Sequence, residues 1–486
     1  MKSIKFIFAL TVLAVCFSAC NKSGVPKDYS GKTGWKYNDE KRGFYNVKTE
    51  YKGKFPPGTV YVSTMTSVKG QSENPVSSTT NNLKRRVGMS GFFMDEFEVT
   101  NIDWREYVRW ITMVYAHEPR RILLAMPDET VWREELAYNE PLVQSYYTHV
   151  AFGFYPVVGI TWNQAMDYCT WRTDRANELA LIQAKVIEFT DLVTVNENIQ
   201  GDPDNAYMYA FSTAHKAEYM RANVGDDYPD LDGIIYETPF RLPTEAEFEY
   251  AAYGTVIVND NAEEGMTYPW NGSQLREMVN KKTKGKFLAN FMRGRGDLIG
   301  MSQNGTNTPT TPVDFFPPNS YGLYNMAGNV NEWVLDVYRA TSNNLVNDLN
   351  PFRGNVYESD SAYAESILER LPYMEQDVRD SMRNVLIKEK GFQVSGRDVR
   401  SFRDGDSISS VGDSLLSSKY AYEHATPIEK ANMISDEARV YKGGSWKDRA
   451  LWLNPAMRRW LNQNRCANDI GFRCAMSAVG GKDALK

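Results

Sequence analysis

The chain repeats one polar pattern three times: a threonine stands three positions before an acidic or amide side chain. The pairs are Thr100 with Asp103, Thr161 with Gln164, and Thr244 with Glu247. Such a pair forms a capping box, in which each side chain bonds a backbone amide at the start of a helix. The pattern therefore predicts three helices, over 104–110, from 162 through Cys169, and from 245 to Ala252.

Short runs of apolar, β-branched and aromatic residues predict strands near these helices. The runs cover 58–63, 91–99 and 155–160, and their composition is typical of strands. Beyond residue 253 the helical periodicity weakens, and clusters of Gly, Asn, Pro and Trp predict turns and irregular loops. The chain is therefore expected to combine helices, short strands and long irregular loops.

Two stretches differ from the rest of the chain. Residues 172–239 and about 340–438 are more charged and contain less Gly and Trp, and we interpret both as insertions into a common core. Within the second, apolar residues over 364–390 recur at helical spacing and predict a helix. Pro372 lies inside this pattern and favours a break or a kink.

The composition excludes several classes of protein. With 486 residues, 42% of them hydrophobic, the chain can form a large core, which excludes a disordered or collagen-like protein. The 55 Lys and Arg residues against 61 Asp and Glu residues give a net charge of −6. So mild an acidic excess gives no signal for a nucleic-acid partner.

Residues 1–19 have the pattern of a bacterial secretion signal. Lys2 and Lys5 precede an apolar run over 6–17, which is shorter than the roughly 20 residues that span a bilayer. Small residues stand directly before Cys20, as in lipoprotein signals in which that cysteine becomes the acylated first residue. The alternative is a plain signal peptide with an incidental Cys20. We expect Cys20 to carry the lipid and residues 20–55 to form a tether.

The sequence does not show which two of the remaining cysteines form a disulfide. If Cys16 leaves with the signal and Cys20 is acylated, then Cys169, Cys466 and Cys474 remain. Disulfides persist in exported proteins, so one pair and one odd thiol are expected. Spacing alone does not identify the pair.

Six ordered motifs carry a family resemblance. They cover 93–101, 155–162, 241–252, 322–333, 443–446 and 471–474. In this order they resemble the formylglycine-generating enzyme, or sulfatase-modifying factor, family. The resemblance implies an α+β fold, a variant of the C-type-lectin type rich in irregular loops, over residues 56–478 with the two insertions. A short tail, 479–486, follows.

The same resemblance bears on catalysis. In the active enzymes two cysteines bind copper and oxidise a substrate cysteine, and the matching positions here are Asp448 and Leu453. Monovalent copper needs thiolate ligands, so we expect no copper and no enzymatic activity. The iron-dependent branch of the family uses histidines, but the four histidines here show no metal-ligand spacing. No iron is expected either.

Two structural features are implied by the resemblance alone. A structural calcium ion is expected at Asn325 and Glu332, through side-chain oxygens, and at Gly328 and Val330, through carbonyls, since hard cations prefer oxygen ligands. The alternative is a Gly/Asn turn held by packing. The family disulfide maps onto Cys169 and Cys474, which leaves Cys466 as the odd thiol.

A narrower resemblance points to a biological role. The lipoprotein signal, the segment 139–141 and the segment 440–450 with Arg458 and Arg459 resemble gliding-motility lipoproteins of the GldK/PorK and GldJ families. This implies a non-catalytic subunit of the type IX secretion machinery of Bacteroidetes. It would form a homo-oligomeric ring with a GldN/PorN-type periplasmic subunit.

The expected location is the periplasmic face of the outer membrane, because no acidic run follows Cys20. Two other functions stay open: a glycan- or peptide-binding lipoprotein that uses the degenerate cleft near Trp446, Trp452 and Trp460, and a cysteine-oxidising enzyme.

Overall fold

The computed structural model of the protein describes residue 36 and residues 54–70, 85–134, 136–236, 238–254, 267–270, 274–278, 280–293, 308–338 and 438–479. The chain divides into two units, Met1–Gly53 with Ala484–Lys486, and Lys54–Asp483. The signal peptide, Cys20, the tether up to residue 53 apart from residue 36, the helix predicted over 364–390 and the tail from residue 480 lie outside the described residues. The larger unit is described below.

Helices and strands are mixed, in agreement with the predicted α+β class. The helices are α1 (Asn101–Val114), α2 (Pro119–Ala125), α3 (Glu140–Ser145), α4 (Trp162–Gln183), α5 (Leu192–Gly201), α6 (Lys216–Asn223) and α7 (Glu245–Tyr253). The strands are β1 (Thr59–Val62), β2 (Met65–Lys69), β3 (Arg85–Met89), β4 (Phe92–Asp95), β5 (Phe240–Arg241), β6 (Asn331–Val337), β7 (Ala438–Lys442), β8 (Arg459–Asn462), β9 (Ile470–Gly471) and β10 (Ala475–Ser477).

The three predicted capping boxes are confirmed. Thr100, Thr161 and Thr244 each accept a hydrogen bond from the amide three residues on, and the side chain at that position bonds back. These contacts satisfy amides that would otherwise lack a partner at the helix start. Helices α4 and α7 therefore begin where they were predicted, whereas α1 begins at Asn101, three residues before the predicted start.

The strands form two four-stranded sheets and one pair. The first sheet has the order β1-β4-β10-β5 and is antiparallel, and β2 pairs with β3. The second has the order β8-β7-β6-β9, in which only β6 and β9 are parallel. Strands from the end of the chain thus pair with strands from its beginning and middle, which brings the separated motifs together.

Helix α7 lies at the centre of the main core, and all nine of its residues are buried. Phe248 and Ala251 pack in one cluster with apolar side chains of the first and second sheets. The helix also buries Glu245, which pairs with Lys442 at 3.1 Å and with Arg458 at 2.9 Å. A buried charge is tolerated only when it is paired and hydrogen-bonded. These cations explain how an acidic helix fills the core.

The prediction of a strand over 155–160 is wrong. The segment makes one isolated bridge, between Thr100 and Pro156, and otherwise bonds to separate loops. Val157 donates to the Val99 carbonyl and Gly159 to the Ala467 carbonyl, both by backbone amides. Its apolar residues are buried among several elements, and a run of this kind cannot be told from a buried strand by its composition.

The boundary predicted at residue 172 falls inside a continuous helix, because α4 runs to Gln183. Arg172 itself belongs to the core, where it pairs with Asp95 at 2.6 Å. The segment after α4 forms helices α5 and α6. Met220 of α6 packs with Phe211 in a small apolar cluster, whereas α5 packs against Val114 of α1. The described part of the first insertion is thus a helical extension of α4.

The second insertion separates β6 from β7. Beside these strands the amide of Tyr338 donates to the carbonyl of Ala438 at 2.7 Å, so the two ends of the insertion meet.

Among the described residues, no helix has the length and apolar character required to cross a bilayer.

Candidate functional site

A tight loop before β6 collects the residues predicted to hold calcium. Asn325 and Asn329 adopt positive φ angles of 51° and 65°, and Gly328 has a φ of 88°. A side chain at Gly328 would approach the Asn290 carbonyl to 2.6 Å, so only glycine fits there. Asparagine tolerates the left-handed region better than other residues. The loop brings Asn325, Gly328, Val330 and Glu332 into one short segment.

Glu332 forms a fully buried ion pair. Its two carboxylate oxygens accept from Nε and an Nη atom of Arg473, both at 2.6 Å, and neither side chain is exposed to solvent. Arg473 also donates to the Tyr324 carbonyl at 2.8 Å. Burial raises the pKa of Glu332, and the Arg473 charge opposes this shift. Both oxygens of the Glu332 carboxylate are therefore bound by the Arg473 guanidinium.

Glu98 is a second buried carboxylate at this loop. One of its oxygens accepts from the side-chain amides of Asn325 at 2.9 Å and Asn329 at 2.8 Å. Burial, and then the charge of Glu332, raises the pKa of Glu98 to about 8, although Arg473 and the two amides lower it. Less positive charge therefore lies close to the Glu98 carboxylate than to the Glu332 carboxylate.

The sequence analysis did not select Glu98 as a site residue. Its signal was present, because Glu98 stands between Phe97 and Val99 in an apolar run, and charged residues are rarely fully buried unless they are paired. That signal identifies an unusual position. It does not identify the loop, more than two hundred residues away along the chain, that supplies the partners.

The donor set at this loop fits a hard cation, with one change from the predicted ligands. Carboxylate, amide and carbonyl oxygens are the ligands that calcium prefers, and Glu98, Asn325, Gly328 and Val330 offer groups of these types. Glu332 is paired with Arg473, whereas Glu98 has no cationic hydrogen-bond partner among the described residues and accepts from the side-chain amides of Asn325 and Asn329. Calcium binding by Asn325, Gly328, Val330 and Glu332 stays a prediction.

We expect Glu98→Gln to change how stability depends on pH. The folded pKa, about 8, lies above the usual 4.5, so the wild-type protein loses stability as the pH rises between these values, at up to about 1.4 kcal/mol per pH unit. A neutral glutamine does not take part in this loss. Urea unfolding with a chelator at pH 5 and pH 8 measures the difference between the two proteins.

The matched control is Glu197→Gln, at an exposed position of α5. Calcium should stabilise the wild-type protein at pH 8 and stabilise Glu98→Gln much less. If Glu98→Gln and wild type show parallel pH profiles, Glu98 is ionised or solvated in the folded protein, and the interpretation of this carboxylate is wrong.

Asp448, which the family resemblance matches to the first copper-binding cysteine, is held by several donors. Arg459 donates to both of its oxygens, at 2.5 and 2.6 Å. The amide and hydroxyl of Ser445 donate to one of these oxygens at 2.9 and 2.7 Å. Burial alone would raise the pKa of Asp448, but Arg459 and the other donors outweigh it and lower the pKa.

A second carboxylate shares these donors. Asp469 accepts from the Ser445 hydroxyl at 3.1 Å and from the Asn331 amide at 3.0 Å. Burial, and then Asp448, raises the pKa of Asp469. Arg459 lies over the ring of Trp452, 4.5 Å from its centroid. The site is a closed polar network without a thiol among these side chains.

Leu453, which the same resemblance matches to the second cysteine, is fully buried. It packs in an apolar cluster with Tyr268, Phe291 and Ala327. A leucine side chain offers no metal ligand, and this one faces the core. The two positions therefore hold a salt-bridged aspartate and a core residue.

Cys169 and Cys474 lie together in the core. Their sulfur atoms are 3.5 Å apart, and both residues are buried as free thiols in this structure. Cys466 is partly exposed, 3.8 Å from a carboxylate oxygen of Asp128. Burial and the Asp128 charge raise the pKa of Cys466 to about 11. The fold brings together the pair implied by the resemblance, and the disulfide itself stays a prediction.

The three tryptophans of the degenerate cleft differ in exposure. Trp446 is buried and stacks near Trp132, with ring centroids 6.1 Å apart. Trp460 stacks on Tyr338 at 6.0 Å, and both Trp452 and Trp460 are half-buried. Most of their ring surface therefore packs inside the protein. Among the described residues, no group of three or more His, Cys, Asp or Glu side chains is arranged to hold a metal ion.

Comparison with known proteins connects this geometry to a family. A family model, the sulfatase-modifying factor enzyme 1-like domain, matches residues 52–478. The chain belongs to this family. The match includes both sheets, the loop over 325–330 that Glu98 contacts, and the hydrogen-bond network around Asp448. It confirms the family resemblance drawn from the six motifs.

The family includes active and inactive relatives. Formylglycine-generating enzyme of Mus musculus is 26% identical over 254 residues, which cover 52% of this chain and 50% of that protein. Inactive C-alpha-formylglycine-generating enzyme 2 of Bos taurus is 24% identical over 280 residues, which cover 54% of this chain and 65% of that protein. The chain thus spans about half to two thirds of these relatives. Membership in the family is compatible with a non-catalytic role.

Among solved structures, Treponema denticola variable protein 1 is similar at 17% identity with a TM-score of 0.36, over 86% of this chain and 95% of that one. PvdO from Pseudomonas aeruginosa is similar at 14% identity with a TM-score of 0.37, over 86% and 94%.

Proposed function

We propose that the protein is a non-catalytic, lipid-anchored structural subunit of the type IX secretion and gliding machinery, of the GldK/PorK type. It is attached through Cys20 to the periplasmic face of the outer membrane. There it forms a ring of identical copies together with a GldN/PorN-type periplasmic subunit. In this proposal, calcium bound at the loop over 325–330 has a structural role, and neither copper nor iron takes part.

The state of the two former cysteine positions carries the non-catalytic part. Asp448 accepts four hydrogen bonds from Arg459 and Ser445, and Leu453 is fully buried. Copper-dependent oxidation in this family needs two thiolates at these positions. Restoring one would require breaking an ion pair, and restoring the other would open a cavity in the core. The site is built for stability.

The enzymatic alternative is tested directly. The purified protein, supplied with copper and oxygen, is expected to leave a cysteine-containing peptide unchanged, as followed by mass spectrometry. An active formylglycine-generating enzyme serves as the positive control. Conversion of the peptide at a rate that depends on added copper would contradict the non-catalytic proposal.

The structural role is tested on the protein in its own membrane. Gentle detergent extraction, particle imaging and mass spectrometry of the co-purifying proteins are expected to show a large, uniform ring with a second periplasmic subunit in fixed ratio. Mass spectrometry of the same sample reports acylation at Cys20. A monomer without a stoichiometric partner would overturn the secretion role and would favour ligand binding in the degenerate cleft.

A further inference from the structure

Helix α2 presents an unusual surface for a water-soluble domain. Its sequence, Pro-Arg-Arg-Ile-Leu-Leu-Ala, places two leucines next to each other, and Leu123 and Leu124 are 73% and 63% exposed. Arg120 and Arg121 precede them and are exposed as well. Single exposed apolar residues are common, whereas adjacent ones on an ordered element indicate an interaction surface.

The helix is firmly attached, so the exposure of the leucines does not come from a loose segment. The indole of Trp104 donates to the Ala125 carbonyl at 3.0 Å. The side-chain amide of Gln164 donates to the carbonyls of Leu124 and Met126 at 2.8 and 2.9 Å. These contacts fix α2 against α1 and the start of α4 and direct the two leucines outward.

Two arginines stand just before the leucines in the sequence of α2. Arg121 pairs with Glu118 at 2.6 Å and lies over the ring of Tyr115 at 4.2 Å. Glu118 thus compensates Arg121, and Arg120 adds one positive charge beside the apolar pair. Leucines flanked by arginines match an anionic bilayer surface, because the apolar groups enter the interface while the guanidinium groups stay at the phosphates.

The point where the described domain begins lies near this helix. The chain enters at Lys54, and the carbonyl of Pro57 accepts from Arg172 at 3.0 Å. Arg172 and Gln164 both belong to α4, and the eight residues between them correspond to about 12 Å along the helix. Residues 21–53 reach at most about 110 Å. A chain anchored at Cys20 therefore holds α2 within reach of the bilayer.

We propose that α2 is a peripheral membrane contact, in which Leu123 and Leu124 enter the surface of an anionic bilayer and Arg120 binds lipid phosphate. This inference rests on the proposed lipid anchor at Cys20. It adds a second, weaker attachment that orients the domain, because a single attachment point does not define an orientation. Two attachment points restrict which surfaces of the domain face away from the membrane.

The test uses the acylated full-length protein, reconstituted into vesicles of phosphatidylethanolamine and phosphatidylglycerol that contain a photoreactive phospholipid. After irradiation, peptide mapping is expected to find lipid on residues 119–125. The double variant Leu123→Ser/Leu124→Ser should carry about tenfold less label on this peptide, as the loss of two partly buried leucines implies. Arg120→Gln should lower the label only when phosphatidylglycerol is present.

The matched control is Leu179→Ser/Leu451→Ser, which replaces two exposed leucines elsewhere and should leave the label on α2 unchanged. Unchanged circular dichroism shows that the variants are folded. Absence of lipid on residues 119–125 would overturn the proposal, as would cross-linking of α2 to a protein in native membranes.

This design tests the lipid anchor at Cys20 and the membrane contact of α2 independently of each other. If mass spectrometry finds no acyl group on Cys20, the lipid anchor is wrong, and the unacylated chain is tested by flotation with the same vesicles. Labelling of α2 there would still support the contact. An acylated Cys20 without label on α2 would leave the anchor in place and overturn the contact.

Discussion

Arg473→Met is expected to lower the free energy of unfolding by about 3–5 kcal/mol, which is the range for breaking a buried ion pair from one side. Arg473 is fully buried, holds both oxygens of Glu332 and donates to the carbonyls of Asp95 and Tyr324. Methionine fills a similar volume but satisfies none of these groups. Equilibrium urea unfolding of the full chain, with and without calcium, measures the loss.

Two further variants separate the ion pair from general damage to the core. Adding Glu332→Gln to Arg473→Met removes the uncompensated charge and should recover part of the stability. Arg133→Met breaks the exposed pair with Glu140 and should change little, since water already solvates both groups. A change below about 1 kcal/mol for Arg473→Met would show that the buried pair does not stabilise the fold.

Cys169→Ser is expected to lower the stability of the oxidised protein by up to about 6 kcal/mol in the chain-entropy model. The two cysteines are 305 positions apart, so a bond between them restricts a very long loop of the unfolded chain. Reduction of the wild-type protein should produce a similar loss. Urea unfolding with and without dithiothreitol measures both, and alkylation with mass spectrometry counts the free thiols.

Cys466→Ser is the control, because the fold places this thiol away from the core pair and beside Asp128. It should leave both the stability and the response to reductant unchanged. If the wild-type protein unfolds at the same urea concentration with and without dithiothreitol, the predicted disulfide does not form. A shift in Cys466→Ser equal to that in Cys169→Ser would assign the bond to a different pair.

Local rules predicted the parts of the fold that depend on neighbouring residues. The capping boxes at Thr100, Thr161 and Thr244 need only four consecutive residues, and all three are present. The run over 155–160 failed, because an apolar segment buried by several loops has the same composition as a buried strand. The end of α4 was missed for a related reason: no helix-breaking residue stands near Arg172.

The candidate site was predicted only in part, because its partners are far apart in the sequence. The loop with Asn325 and Gly328 is a local motif, and the sequence located it. Glu98 and Arg473 reach the same loop from opposite ends of the domain, and no local pattern connects them. Similarly, Glu245 resembles an exposed helix residue in the sequence. In the structure it lies on α7 and pairs with Lys442 of β7. Charge pairing between a helix and a strand that are distant in sequence is a property of the fold.

The seam between Tyr338 and Ala438 makes the domain modular. The amide of Tyr338 donates to the carbonyl of Ala438 at 2.7 Å, so residues 339–437 leave and return at neighbouring points beside the paired ends of β6 and β7. The entropy of closing a loop grows only slowly with its length. A segment of almost any size can therefore be gained, lost or exchanged at this junction while the sheets keep their register, and the domain can acquire new partners without refolding its core.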